Sequence, residues 1–167
     1  MIESKIEDCL PVNLVDVRCV ANWYIDKTVN ISEAYHGLGS LNVFLYILSG
    51  LSVQHFGYQF FNDKISVLST GPAFDKLVAY YSDQASFLSK KVSLECSNFE
   101  FTVEQTKLME ESYAFVNKYK PQRIRDWIIE EDSPWYLHYK SETNVGRILS
   151  EAEICESVKK ILIFKAK

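Results

Sequence analysis

Between Leu14 and Val29, apolar residues recur at three- and four-residue steps: Val15, Cys19, Val20, Trp23, Tyr24 and the aliphatic stem of Lys27, with Asp16, Arg18, Asn22 and Asp26 between them. That spacing lines one side of a helix and predicts a first amphipathic helix. A glycine-bearing stretch, Tyr35 to Ser40, follows, and Ser40 is a good N-cap for a second helix carrying Leu41, Phe44, Leu45, Leu48, Leu51 and Phe56 on a broad apolar stripe that ends near Gly57. This helix is expected to be the central one.

The period then changes. Tyr58 to Phe61 and Ile65 to Leu68 read as two short extended runs around the polar pair Asn62 and Asp63, a small hairpin. Ser69, Thr70, Gly71 and Pro72 read as a strand-to-helix junction, with proline at the first helical position and a helix running on to Tyr81. From Ser82 to Asn98 the pattern is weak; Val92, Leu94 and Cys96 alternate with polar residues as a short strand would, or the segment is a loop.

Thr102 and Gln105 fit a capping box opening a long helix to about Tyr119. Pro121 breaks and restarts the chain, a short helix spans Arg123 to Glu131, and Pro134 stops it because the residue before a proline disfavours helical backbone. Ser150 and Glu153 form a second capping box, launching a helix through Ile154, Val158, Ile161 and Leu162 whose late lysines complement its dipole. The sum is a mainly α (α+β) fold, a compact helical domain with a central apolar helix and a small β-hairpin, organised as a single domain over residues 1–167.

Composition narrows the class. With 47% hydrophobic and 24% charged residues the chain is expected to fold, and a net charge of −4 weighs against nucleic acid and anionic membranes as partners. The longest apolar window, Val43 to Val53, runs about eleven residues, short of a membrane span. The four cysteines lie far apart with no Cys-x-x-Cys pair, and the first ten residues are acidic where a secretory leader is basic, so reduced packed thiols and a cytoplasmic location are expected.

Three segments, in order, resemble the Panacea antitoxin domain of SocA/GepA type. They are Val20 to Lys27, similar to its opening helix; Leu41 to Tyr81, with Leu45-Tyr46-Ile47, Tyr58 to Phe61 and Gly71-Pro72 similar to its core helix, strand and turn; and Trp127 to Trp135, with Glu130-Glu131-Asp132-Ser133-Pro134-Trp135 similar to its closing E-E-x-x-P-W. The chain departs from that pattern at Ile129, where a histidine is common, at Thr70, where an aromatic is usual, and at Ser40 to Phe44, which carry no lysine. The resemblance implies a mostly helical antitoxin of a toxin–antitoxin pair, often carried on mobile genetic elements, whose partner is a protein toxin.

Candidate chemistry is sparse. Ser69, Thr70 and Gly71 read first as a tight turn with a capping hydroxyl and second as an anion-binding helix start, without the glycine-lysine fingerprint of a phosphate loop. His36, His55 and His138 stand at no metal-ligand spacing, no catalytic motif occurs, and no cofactor or metal is expected. Lys118, Lys120, Arg123 and Arg125 cluster, but Asp126 and Glu130 to Asp132 follow at once, which favours a solvated or internally paired surface. Ten tyrosines and ten phenylalanines supply either an aromatic-rich core or surplus surface aromatics for an interface. The expected partner-binding set is Tyr80, Tyr81, Glu130, Glu131, Asp132, Trp135, Tyr136 and Tyr139, aromatic anchors beside carboxylates that would oppose a basic partner. The leading expectation is therefore a protein-binding, antitoxin-like module. The alternatives are a small-molecule-binding protein or enzyme using the Ser69 to Pro72 junction, and a mobile-element-encoded protein acting on another host or phage target.

Overall fold

The computed structural model describes residues 13–28, 30, 31, 35, 37–81, 96, 98–140 and 147–166. Among them the chain runs α1 (Val17–Thr28), α2 (Leu38–Phe56), β1 (Ile65–Leu68), β2 (Gly71–Phe74), α3 (Asp75–Tyr81), α4 (Val103–Tyr119), α5 (Pro121–Ile128), α6 (Pro134–Lys140), β3 (Ile148–Leu149) and α7 (Glu151–Lys160), which continues as a π-helical turn, Ile161–Lys165. The mainly α architecture with a small antiparallel sheet is the one the apolar periodicity predicts. His36, Cys9 and the strand or loop read around Val92 and Leu94 lie outside the described residues.

Helix α2 is the axis. Every residue from Ser40 to Gly50 is buried, because the helix is apolar nearly all round and α4, α5 and α7 pack against it. Its approach to α7 is close: a Cβ built on Gly50 would lie 2.3 Å from the Val158 side chain. Glycine is required there by space. At the far end Gly57 takes the left-handed conformation (φ +82°) and returns its N–H to the Val53 carbonyl at 2.9 Å. The start differs from expectation: Ser40 is a buried residue inside the helix, and the N-cap is Gly37, which has no side chain to accept from the first turn. No helix among the described residues is long and apolar enough to cross a membrane.

The hairpin exists but uses other strands. β1 pairs antiparallel with β2, Ile65 opposite Phe74 and Leu68 opposite Gly71, so the two-residue loop is Ser69-Thr70. Gly71 accommodates φ +125°, and Pro72 is tolerated because β2 is an edge strand. On its other side β1 pairs with β3, Ile65 opposite Leu149, giving the order β2-β1-β3. The segment from Tyr58 to Phe61 goes elsewhere. Phe60 O accepts from Val15 N at 2.8 Å and Asn62 N donates to Val15 O at 2.9 Å, while the Gln59 amide donates to the Phe61 and Asp63 carbonyls at 2.8 and 2.9 Å. Asp63 then accepts the Lys76 N–H at 3.1 Å, so the turn expected to close a hairpin instead supports the first turn of α3. Burial pushes the Asp63 carboxyl above its ordinary range, against the pull of the Lys76 and Lys64 amides.

Both capping boxes form. Thr102 Oγ1 accepts from Gln105 N at 3.2 Å and Gln105 Oε1 from Thr102 N at 3.0 Å; Ser150 and Glu153 repeat the exchange at 3.2 and 2.8 Å. Pro134 begins a helix instead of only stopping one, since Ser133 Oγ accepts the Tyr136 N–H at 3.0 Å as an N-cap and proline lacks the N–H that the first turn leaves unpaired anyway. Cys19 and Cys96 are joined by a disulfide that ties α1 to the chain ahead of α4, correcting the expectation of reduced thiols at those two positions; Cys155 is free and half-buried.

Candidate functional site

The carboxylate run predicted at residues 130 to 132 forms a tight turn between α5 and α6. Ser133 N returns to Glu130 O at 3.0 Å, and Asp132 closes the turn in the left-handed region (φ +69°), where a short polar side chain is tolerated. Glu130, Glu131 and Asp132 all project into solvent. Facing them is the π-helical turn. Its extra residue per turn swings Ile163 and Phe164 outward, so that Phe164 is 66% exposed and Ile163 56%.

This face is held in position from beneath. Lys165 Nζ meets Glu130 Oε1 at 2.7 Å across the turn, and Tyr119 Oη donates to Ala166 O at 2.8 Å from α4. Between turn and helix end is a pocket of about 170 Å³ lined by Trp127, Asp132, Ser133, Ser157, Lys160 and Phe164. Three carboxylates on its rim meet two ammonium groups, one of which Glu130 already engages, so the net field is weakly negative. The arrangement suits a side chain carrying a cation and an apolar stem. Among the described residues no group of three or more His, Cys, Asp or Glu side chains converges as metal ligands would.

No family model, curated protein or solved structure matches the chain.

The other predicted residues divide. Tyr139 is exposed and stacks on Trp135, ring centroids 4.7 Å apart and 17° from parallel, and Tyr136 is half-buried with Lys140 Nζ 5.7 Å above its ring. Trp135 itself is a core residue, 3% exposed, and Tyr81 is 5% exposed, so neither is the surface anchor expected. The reason is helix phase: the newly formed α6 turns Trp135 and His138 inward together, and α3 does the same with Leu77 and Tyr81, four residues apart. Tyr80 is exposed, but lines a separate hollow with Asp16, Arg18 and Lys76.

Ser69, Thr70 and Gly71 do not form a helix start. They are the turn of the β1–β2 hairpin, as the first reading had it, and α3 begins at Asp75, so the second reading, a helix-start anion site, does not hold at that position. Thr70 nevertheless lines a hollow together with Arg125. The basic cluster is likewise arranged differently. Lys118, Lys120 and Arg123 lie over the rings of Tyr119, Tyr35 and Trp127 at 4.9, 5.7 and 5.2 Å, while Asp126 accepts from Gln122 and Glu130 from Lys165.

His138 is buried, with Nε2 2.6 Å from Glu153 Oε1, linking α6 to the cap of α7. Burial pushes the Glu153 carboxyl up, but the Ser150 amide, His138 and the Ser150 hydroxyl together outweigh it and hold it below the ordinary range. Trp127, Lys160 and Phe164 were not among the residues the sequence assigned to a binding face. Only the unbroken apolar run Ile161 to Phe164, which no single helical stripe can bury entirely, signalled an exposed pair.

Proposed function

We propose that the protein acts by binding another protein, as an antitoxin-like module whose acidic turn and π-helical end form the contact face. The observation that carries this is Phe164, two-thirds exposed and fixed beside Glu131 and Asp132 by the Lys165–Glu130 pair and the Tyr119–Ala166 hydrogen bond. A large apolar side chain on a backbone already held in place offers its surface without the chain having to order on binding, which suits an interface anchor. The carboxylates and the pocket between them favour a partner presenting lysine or arginine beside apolar surface. The toxin as partner class is supported by the likeness of residues 20–27, 41–81 and 127–135 to the Panacea antitoxin domain.

Co-expression with the product of the adjacent reading frame tests the proposal. Relief of that product's growth arrest is expected from the wild-type chain. Phe164→Asp combined with Glu131→Lys should weaken complex formation by about 2 kcal/mol or more while the fold is kept. Full rescue by the folded double variant would remove the interface from this face. A non-toxic neighbour that still binds through Phe164 would replace the antitoxin role with the alternative of a mobile-element-encoded protein directed at another host or phage target.

A further inference from the structure

At the amino end of α2, two hollows adjoin, sharing Gly39, Val43 and Arg125. The larger, about 480 Å³, is walled by Tyr35, Ser40, Lys120 and Gln122; the smaller, about 300 Å³, is mostly apolar, with Leu68, Pro72, Ala73 and Val78 and a polar edge from Asn42 and Thr70. No carboxylate is among the described residues that line either. Two cations are, and among the described residues neither forms an ion pair with a carboxylate. The Arg125 side chain makes no ion pair or hydrogen bond with the described residues. The Arg125 charge at the hollows is therefore offset by no described carboxylate, and an incoming anion meets it directly. Lys120, placed at φ +72° between α4 and α5, has its ammonium 5.7 Å from the Tyr35 ring centroid. The start of α2 adds charge of the same sign: Gly37 offers no capping side chain, the first turn has no acidic residue, and the Gly39 Cα faces open space.

We infer that this double hollow binds the phosphate monoester of a small organic molecule. The phosphate lies between Arg125, Lys120 and the first turn of α2, and the organic body fills the apolar lobe toward Pro72 and Val78. Arginine with lysine suits this dianion, because the guanidinium fork takes two oxygens while the ammonium adds a point charge. The lobe beyond it rewards an ester over free phosphate by burying the carbon body.

Gly39→Asp separates binding from folding. A Cβ at Gly39 meets nothing within 4 Å, so the aspartate fits; it replaces a helical glycine and places a carboxylate at a helix start, which favours the fold, yet it puts negative charge where the phosphate would lie. Titration calorimetry on the full chain with adenosine monophosphate, glycerol phosphate, inorganic phosphate and adenosine reads the outcome. At least one ester is expected to bind more tightly than inorganic phosphate, adenosine not at all, with affinity falling as salt rises. Gly39→Asp, melting no lower than wild type, and Arg125→Gln should each weaken the ester by about tenfold or more. Failure of both esters to bind, binding unchanged in Gly39→Asp, or inorganic phosphate bound as tightly as the esters would overturn the inference.

Discussion

At the crossing of α2 and α7, Gly50 and Val158 leave no room for one added methyl group, and the ten α2 residues before Gly50, from Ser40 to Ser49, are all buried. One turn beyond α7, the same stretch of chain presents Phe164 to solvent beside a loop of carboxylates. The two regions differ in what their side chains are free to do. At the crossing, geometry is fixed by mutual contact, so the residues hold the fold and have nothing left to offer a partner. At the acidic turn, the backbone is anchored from below by Tyr119 and Glu130, and the side chains above it are available.

The sharpest break in that comparison is Trp135, which adjoins the acidic run in sequence but belongs to the interior in space. Trp135→Ala is expected to cost about 3–5 kcal/mol, read as a lower denaturant midpoint, because it empties a buried site and unstacks Tyr139. A loss confined to partner binding, with stability unchanged, would return Trp135 to the surface. Next is Gly50→Ala. Overpacking against Val158 should destabilise by about 1–3 kcal/mol despite the better helix propensity of alanine, and Val158→Ala in the same chain should recover part of the loss. Additive effects would show that the two helices do not meet there.

Glu153 occupies middle ground, a partly exposed carboxylate that links the interior to a cap. Its folded-state pKa lies below the ordinary value, so its stabilisation is present above the ordinary glutamate range and is lost as pH falls through the folded value. Asp63, raised by burial, has the opposite sign: its contribution is present at low pH and is lost as pH rises through its elevated value. Glu153→Gln should therefore flatten the acid side of the melting-temperature profile, with a modest loss of roughly 0.5 kcal/mol near neutrality, since over a third of the side chain is in water. An acid limb as steep as that of wild type would assign acid sensitivity to other groups. The smallest effect on stability is expected at Phe164→Asp, within about 0.5 kcal/mol by thermal melting. A larger loss would make Phe164 part of the packed body.

The capped helices were readable with little help. Thr102 with Gln105, and Ser150 with Glu153, act through hydrogen bonds spanning three residues, so the residues that decide the helix start are all present in the local string. The central place of α2 was equally plain from its apolar density. Pro134 was misjudged, although the signal was present: Ser133 before the proline is an N-cap, and the pair begins a helix as readily as it ends one. Glu130 to Asp132 was legible as an exposed acidic segment. Its companion Phe164 was not, because the π-helical turn that exposes it changes the angular step that a helical pattern assumes.

By itself, then, the amino-acid sequence determined the two helix starts with capping boxes, the central place of α2, the presence of a hairpin and the acid character of one turn, each an outcome of interactions within a few residues or of local apolar density. Tertiary structure alone decided that β1 pairs with β2 and β3, that Cys19 meets Cys96, that Tyr81 and Trp135 turn inward, and that Arg125 stands over the amino end of α2. Those outcomes join segments tens of residues apart, and which of several compatible partners each segment takes depends on how the entire core closes.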